Sequence, residues 1–131
     1  MMSSKEEIKI NRNLNDVWNF VGNPELFATV FTGVSEIKRK SPEKEGPEQV
    51  IVRGSLEGYG FSSSLAVQAR DEANKKITYI SGRSKVDISL APNNDGTIIE
   101  LTIYAHMQGI LLRELYAKSL KQRILQILEA K

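Results

Sequence analysis

The sequence predicts an α+β fold in which one long helix lies across a curved antiparallel sheet, and three observations carry that prediction. Residues 110–131 form the only long uninterrupted helical pattern in the chain. Residues 34–106 are a series of segments that alternate apolar and polar side chains, the period of strands with one dry and one wet face. The connections between these segments are short, so successive strands pair antiparallel. At about 100° per residue, the helix puts Leu112, Tyr116, Leu120, Ile124 and Ile127 on one stripe and Glu114, Lys118, Lys121 and Glu129 on the other side. Leu111 and Leu125 fall off the stripe and need a second neighbour or an interface. Such a helix is not stable alone in water, so its stripe must lie on the apolar face of the sheet.

In chain order, Ile8 and Ile10 mark a first strand over 6–11. Asn13 or Asn15 caps a helix through 16–21, with Val17, Phe20 and Val21 inward and Trp18 flanking. Gly22-Asn23-Pro24 ends it, and Pro24 opens a second short helix over 25–30, made apolar by Leu26, Phe27, Val30 and Phe31. After the Thr32-Gly33 turn comes a strand over 34–40, then a charged loop, 41–48. The strand over 49–57 sets Val50, Val52, Gly54 and Leu56 against Ile51, Arg53, Ser55 and Glu57. Gly58-Tyr59-Gly60 turns the chain into a strand over 61–70, where Phe61, Ser63, Leu65, Val67 and Ala69 oppose Ser62, Ser64, Ala66, Gln68 and Arg70. Strands over 76–81 and 84–90 follow around Gly82-Arg83, the latter with Val86, Ile88 and Leu90 on one face. Residues 92–96, PNNDG, signal a hairpin. The last strand, 97–106, has Ile99, Leu101, Ile103 and Ala105 on its dry face.

At 131 residues, one domain over 1–131 is expected. A net charge of +2 is too mild to predict nucleic-acid binding. With no cysteine there is no disulfide, thiolate metal site or cysteine nucleophile, and a cytoplasmic location is expected. The opening MMSSKEEIKI has no apolar run behind a basic segment, so no secretory leader is expected, and no stretch is long and apolar enough to predict a membrane span.

The order strand, two helices, six strands, long helix resembles the START-like, or Bet v 1-like, helix-grip (SRPBCC) superfamily, and within it the polyketide cyclase/dehydrase–CoxG kind. The resemblance runs from Glu6 to Lys131. Val17-Trp18-Asn19-Phe20-Val21-Gly22-Asn23-Pro24-Glu25 stands where the family has its V-W-x-F/L-x-D-P segment, with Asn23 in place of Asp. Phe31-Thr32-Gly33-Val34 stands where proline-glycine is usual, and Gly96-Thr97-Ile98-Ile99-Glu100-Leu101 matches the G-T-x-h-x-h entry to the last strand. Gly109 matches the glycine opening the final helix, with Gln108 replacing one of two common glycines. The resemblance implies a helix-grip fold: a curved seven-stranded antiparallel sheet wrapped around the C-terminal helix, with two short helices after the first strand. It does not choose a chemistry, since such families include lipid carriers, hormone receptors, aromatase/cyclases and assembly factors.

The residues themselves offer few catalytic groups. His106, the single histidine, stands at a strand end without a Ser or Cys partner motif, either a surface residue or a ligand contact. One histidine with scattered carboxylates does not make a metal site, and no glycine-rich phosphate loop is present. Glu57, Asp87 and Glu100 alternate to the outer face. Arg113 and Arg123 edge the helical stripe; their stems cover apolar surface, or their heads hold an anion at a cavity mouth with Lys118, Arg83 and Lys85. Tyr116 either packs or offers its hydroxyl to a ligand. Gly54 and Ser63 interrupt a Val/Leu face and leave room for a ligand or for the helix.

The function expected is binding or carriage of a hydrophobic small molecule, such as a fatty acid or an acyl-coenzyme A, in a cavity between sheet and helix. Its expected lining is Val52, Leu56, Phe61, Ser63, Leu65, Val67, Ile88, Leu101 and Ile103 from the strands and Arg113, Tyr116, Leu120 and Arg123 from the helix. No cofactor is expected; a coenzyme A thioester enters only as ligand. Two alternatives stand beside it. One is a cyclase/dehydratase-like enzyme using His106, Tyr116 or an inward carboxylate. The other is an assembly or protein-interaction module, or a homodimer, contacting its partner through Leu111, Leu125, Phe27 and Phe31.

Overall fold

The computed structural model describes residues 2–40, 48–105 and 117–129. The strands are β1 (Met2–Ile10), β2 (Val34–Lys40), β3 (Gln49–Leu56), β4 (Tyr59–Asp71), β5 (Lys76–Ser81), β6 (Ser84–Asn93) and β7 (Gly96–Ala105). Helices α1 (Leu14–Val21) and α2 (Pro24–Phe27), with a 3-10 turn at Ala28–Val30, lie between β1 and β2, and α3 (Ala117–Glu129) follows β7. The strands form one antiparallel sheet in the order β1-β7-β6-β5-β4-β3-β2, so β1 and β2 are its two edges. This is the expected α+β helix-grip architecture. The expected start of the last helix, together with His106, Arg113 and Tyr116, lies outside the described residues.

Local chemistry accounts for the helical caps. Asn13 Oδ1 accepts from the Asp16 backbone N–H at 2.9 Å, and Asn23 Oδ1 from that of Glu25 at 3.0 Å, so each asparagine satisfies a donor that a helix start leaves unpaired. The expected helix over 25–30 breaks after Phe27 into the 3-10 turn. The first strand begins at Met2 rather than residue 6, because β1 pairs with β7 as far as Met2 opposite Ala105.

Two turns and one strand register differ from expectation. The β3–β4 connection is Glu57-Gly58, both at positive φ, so Tyr59 and Gly60 belong to β4. The β6–β7 strands run on to Asn93 opposite Gly96, leaving Asn94-Asp95 as the turn. In β4 the register with β5 slips between Val67 and Ala69. One unpaired residue inverts the alternation beyond it. Ala69, expected inward, is therefore opposite Thr78 and exposed, while Arg70, expected outward, is opposite the buried Ile77.

The helices cover the inner face unevenly. α1 and α2 sit over the end that carries the β4–β5 and β6–β7 turns: Thr97 Oγ1 donates to the Arg12 carbonyl at 2.8 Å and Tyr79 Oη to the Val21 carbonyl at 2.6 Å. Phe27 stacks on Tyr79 at 4.8 Å and 6°, and meets Phe31 edge-on at 5.8 Å. Both phenylalanines are buried, so they are not the exposed partner contact the sequence suggested. α3 packs chiefly on β1, with lesser contact to the 3-10 turn and β7. Its buried row is Leu120, Ile124 and Leu128, with Ile127 and Leu125 half-buried beside it. Lys121, expected on the water side, pairs instead with Glu6 of β1 at 3.7 Å.

Gly54 is small for a reason the sequence did not reveal. A Cβ there would stand 2.0 Å from the Gly33 carbonyl oxygen, which accepts from the Ser55 N–H. Its smallness serves the approach of two backbones, not a ligand or the helix. Gly54→Ala is expected to destabilise the fold by about 1–3 kcal/mol, read as a fall in urea midpoint without a change in slope.

Burial holds the Tyr79 phenol well above its usual value of 10.0. Above pH 10.0 the unfolded chain releases this proton while the folded chain keeps it. The contribution to stability is therefore complete below that pH and is lost as pH rises beyond it. Tyr79→Phe is expected to cost about 1 kcal/mol near neutrality through the lost hydrogen bond and to flatten the alkaline decline, measured by urea titrations across alkaline pH.

Candidate functional site

Paired residues of an antiparallel sheet share a face, so the register defines the inner wall. On it lie Val50, Val52 and Leu56 of β3, then Phe61, Ser63 and Leu65 of β4, with Val52 directly opposite Ser63 and Val50 opposite Leu65. The wall continues through Val67 opposite Tyr79, Tyr79 opposite Val86, and Val86 opposite Ile103, and in the next row through Ile77, Ile88 and Leu101. All nine strand residues expected to line a cavity therefore share one face. They differ in burial: Val52, Leu65, Ile88, Leu101 and Ile103 are buried, whereas Leu56, Phe61, Ser63 and Val67 remain half-buried. From the helix, Leu120 is fully buried.

The two ends of this wall have different chemistry. At the α1–α2 end, Phe27, Phe31 and Tyr79 fill the space, and a chain of charges runs across the outside. Arg39 pairs with Glu25 at 3.3 Å and Glu48 at 3.2 Å, and Arg70 with Glu48 at 2.9 Å and Glu72 at 3.5 Å. Trp18 Nε1 donates to Glu72 at 2.7 Å, with Lys75 over the indole at 5.4 Å. The sequence reading placed Trp18 beside the core; it is buried with its N–H as the polar edge. The opposite end carries the Glu57-Gly58 and Gly82-Arg83 turns, and there the half-buried Leu56 and Phe61 lie.

The expected basic mouth is not assembled among the described residues. Lys85 is opposite Ile80 and Tyr104 on the outer face, its ammonium 4.8 Å from the Tyr104 ring centre. Arg83 is exposed in the turn. Arg123 donates from Nε to the Val30 carbonyl at 2.7 Å, tying α3 to the end of the 3-10 turn. Arg123 also lines a groove of about 300 Å³ with Thr29, Phe31, Val34, Glu36 and Ile37, along the edge of β2 rather than over the centre of the sheet. The carboxylates behave as expected: Asp87 and Glu100 border a shallow outer-face depression of about 340 Å³, where Asp87 accepts from Thr78 at 2.7 Å, and Glu57 is exposed.

Sequence reasoning missed Tyr79, Ser81 and Ser84, although the alternation Ile77, Tyr79, Ser81 already placed the first two inward. It missed Arg70 because no residue type announces the slip that turns it. Among the described residues no cluster of His, Asp or Glu is placed to hold a metal ion, and no helix is long and apolar enough to cross a membrane.

The Nε bond of Arg123 is charge-assisted. Arg123→Gln is expected to lower stability by about 1–3 kcal/mol, and Arg123→Lys to recover little of it because an ammonium lacks the planar Nε donor. Thermal unfolding of the three proteins checks this.

Comparison with solved structures supports the architecture. The chain superposes on Ara h 8.0201 with a TM-score of 0.71 at 14% identity, covering 99% of both chains. It superposes on BexL, the di-domain ARO/CYC of the BE-7585A biosynthetic pathway, with a TM-score of 0.73 at 11% identity, covering 98% of this chain and 47% of that one. With the Zhui aromatase/cyclase from Streptomyces sp. R1128 the TM-score is 0.62 at 14% identity, covering 98% and 85%. At these identities the likeness concerns the fold. No curated protein has a matching sequence. The model of the CoxG family, the G component of carbon monoxide dehydrogenase, matches residues 7–130.

Proposed function

The chain belongs to the CoxG family, and on that premise we propose that it binds a hydrophobic small molecule against the inner face of its sheet, beneath the C-terminal helix. The observation that carries this reading is the incomplete burial of Leu56, Phe61, Ser63 and Val67, which share the inner face with a fully buried core. Apolar side chains on the helix-covered face of a closed core are normally removed from water altogether. Among the described residues, stacked aromatic rings fill one end and leave Leu56 and Phe61 half-buried at the other, which suits an elongated apolar ligand.

The ligand classes we propose are an acyl chain, a fatty acid or an acyl-coenzyme A. Val52, Leu65, Ile88, Leu101, Ile103 and Leu120 form the floor in this reading, and Leu56, Phe61, Ser63 and Val67 the reachable wall. Arg113 and Tyr116 are proposed to complete the site from the helix. Arg123 is proposed to contribute from its side groove, the Nε–Val30 bond fixing its position. A cytoplasmic location fits a sequence without cysteine.

The family description favours a second reading, in which the chain associates with an enzyme of the carbon monoxide dehydrogenase kind. Leu125, half-buried beside the α3 row, and Leu111 are the contacts proposed for it. A cyclase-type reaction on a bound ligand would need a positioned acid or base, for which His106 and Tyr116 are the candidates. Unchanged turnover of a thioester substrate in Tyr116→Phe and His106→Ala removes that role.

Native mass spectrometry of protein purified from its host, followed by titration with fatty acids and acyl-coenzyme A, tests the main reading. A co-purified apolar ligand, or saturable binding that Val67→Trp weakens at least tenfold, is the expected result. Absence of both up to millimolar ligand overturns it. Co-elution with a dehydrogenase component from the same preparation, without ligand, supports the second reading instead.

A further inference from the structure

Ser81 and Ser84 face each other across the Gly82-Arg83 turn, and both lie on the inner face: Ser81 continues the row of Ile77 and Tyr79, and Ser84 that of Val86 and Ile88. They are 6% and 1% exposed, whereas the turn between them is open to solvent. The Ser81 hydroxyl has no hydrogen-bond partner among the described residues. It is also not sealed away, since among those residues no side-chain oxygen or nitrogen is both fully buried and unpartnered. A hydroxyl this deeply placed and bonded to no described residue lowers stability unless water or a ligand supplies its partner. Ser63 lies on the same face of the next strand, half-buried and likewise without a side-chain partner among the described residues.

We propose that Ser81, with Ser63 on the neighbouring strand, is a polar anchor in the inner wall that takes an uncharged oxygen of an otherwise apolar ligand. The group is a ketone, ester or amide carbonyl, or a hydroxyl. This inference rests on the reading that the inner face binds a small molecule, and it concerns the uncharged oxygen met at this wall, separate from any charged head group held elsewhere.

The charge argument sets the class. A carboxylate brought to a dry wall needs a cation beside it. Among the described residues no cation faces Ser81: Arg83 projects from the exposed turn, Lys85 lies on the outer face against Tyr104, and Arg123 is held to Val30 beside β2. A serine hydroxyl both donates and accepts, so it serves a carbonyl or a hydroxyl equally. The neighbours Leu65, Tyr79 and Val86 leave the remaining surface apolar, which suits a ligand whose oxygen sits on a hydrocarbon frame.

Three probes of one shape separate the outcomes: acetylnaphthalene, which carries a ketone; ethylnaphthalene, which carries no oxygen; and naphthoate, which is charged. Calorimetric titration of the full chain is expected to give the tightest binding for acetylnaphthalene. Ser81→Ala should weaken that binding about five- to tenfold, the worth of one net hydrogen bond, and leave ethylnaphthalene within about twofold. Ser81→Thr keeps the hydroxyl and should keep the ketone preference. The unliganded Ser81→Ala protein should melt no lower than the wild type, because the change removes an unpartnered polar group. Equal weakening of both neutral probes, tightest binding of naphthoate, or a melting temperature lowered by several degrees in Ser81→Ala each overturns the anchor while the binding reading stands. Failure of all three probes to bind the wild type at millimolar concentration overturns the anchor and counts against the binding reading itself.

Discussion

Cross-strand register governs what every side chain in this sheet can do, because residues paired across an antiparallel ladder share a face. Val52 with Ser63, Val67 with Tyr79, and Ser81 with Ser84 fix a continuous inner wall across the central strands. The wall runs from stacked aromatic rings beneath α2 to serines at the far hairpin. The gradient is set by the strands, and the described helical residues cover part of it. The slip in β4 shows the same constraint acting in reverse, since one extra residue carries Arg70 onto the inner side, where it bonds Glu48 and Glu72 at the rim.

The two rims are built on different physics. The charge chain around Arg39, Glu48 and Arg70 is largely exposed, and such pairs individually contribute little. Below it, Tyr79 joins aromatic stacking to a buried hydrogen bond with the Val21 carbonyl, so position rather than charge closes that end. At the opposite end the wall turns from hydrocarbon to hydroxyl within one residue of alternation on two adjacent strands. In the proposed binding reading, that arrangement would give a ligand a direction along the wall.

Most of the fold was legible because alternation and caps are local signals. Asn13 and Asn23 announce the helices, and Val50, Val52, Ile99, Leu101 and Ile103 announce the dry face. The errors fall where long-range geometry decides. The slip beside Gln68, the close approach of Gly33 to Gly54 and the pairing of Lys121 with Glu6 depend on elements distant in sequence. Of the expected site, the strand residues share a face as read. Of the expected basic mouth, Lys85 belongs by parity to the outer face and Arg123 reaches the 3-10 turn, while the side chains of Arg113 and Lys118 lie outside those described. Ser81 was not singled out because serine next to a turn is common, and only burial without a partner among the described residues makes it unusual.

The pairing of the first strand with the last carries a consequence for synthesis. Met2–Ile10 leaves the ribosome before the rest of the sheet, yet its strand partner, Gly96–Ala105, emerges after every other strand. Closure of this ladder is a non-local step, so the sheet stays open until its seventh strand has been made. Until then Ile8 and Ile10 lack their cover, which makes the nascent chain, rather than the finished protein, the form most exposed to aggregation and to capture by chaperones.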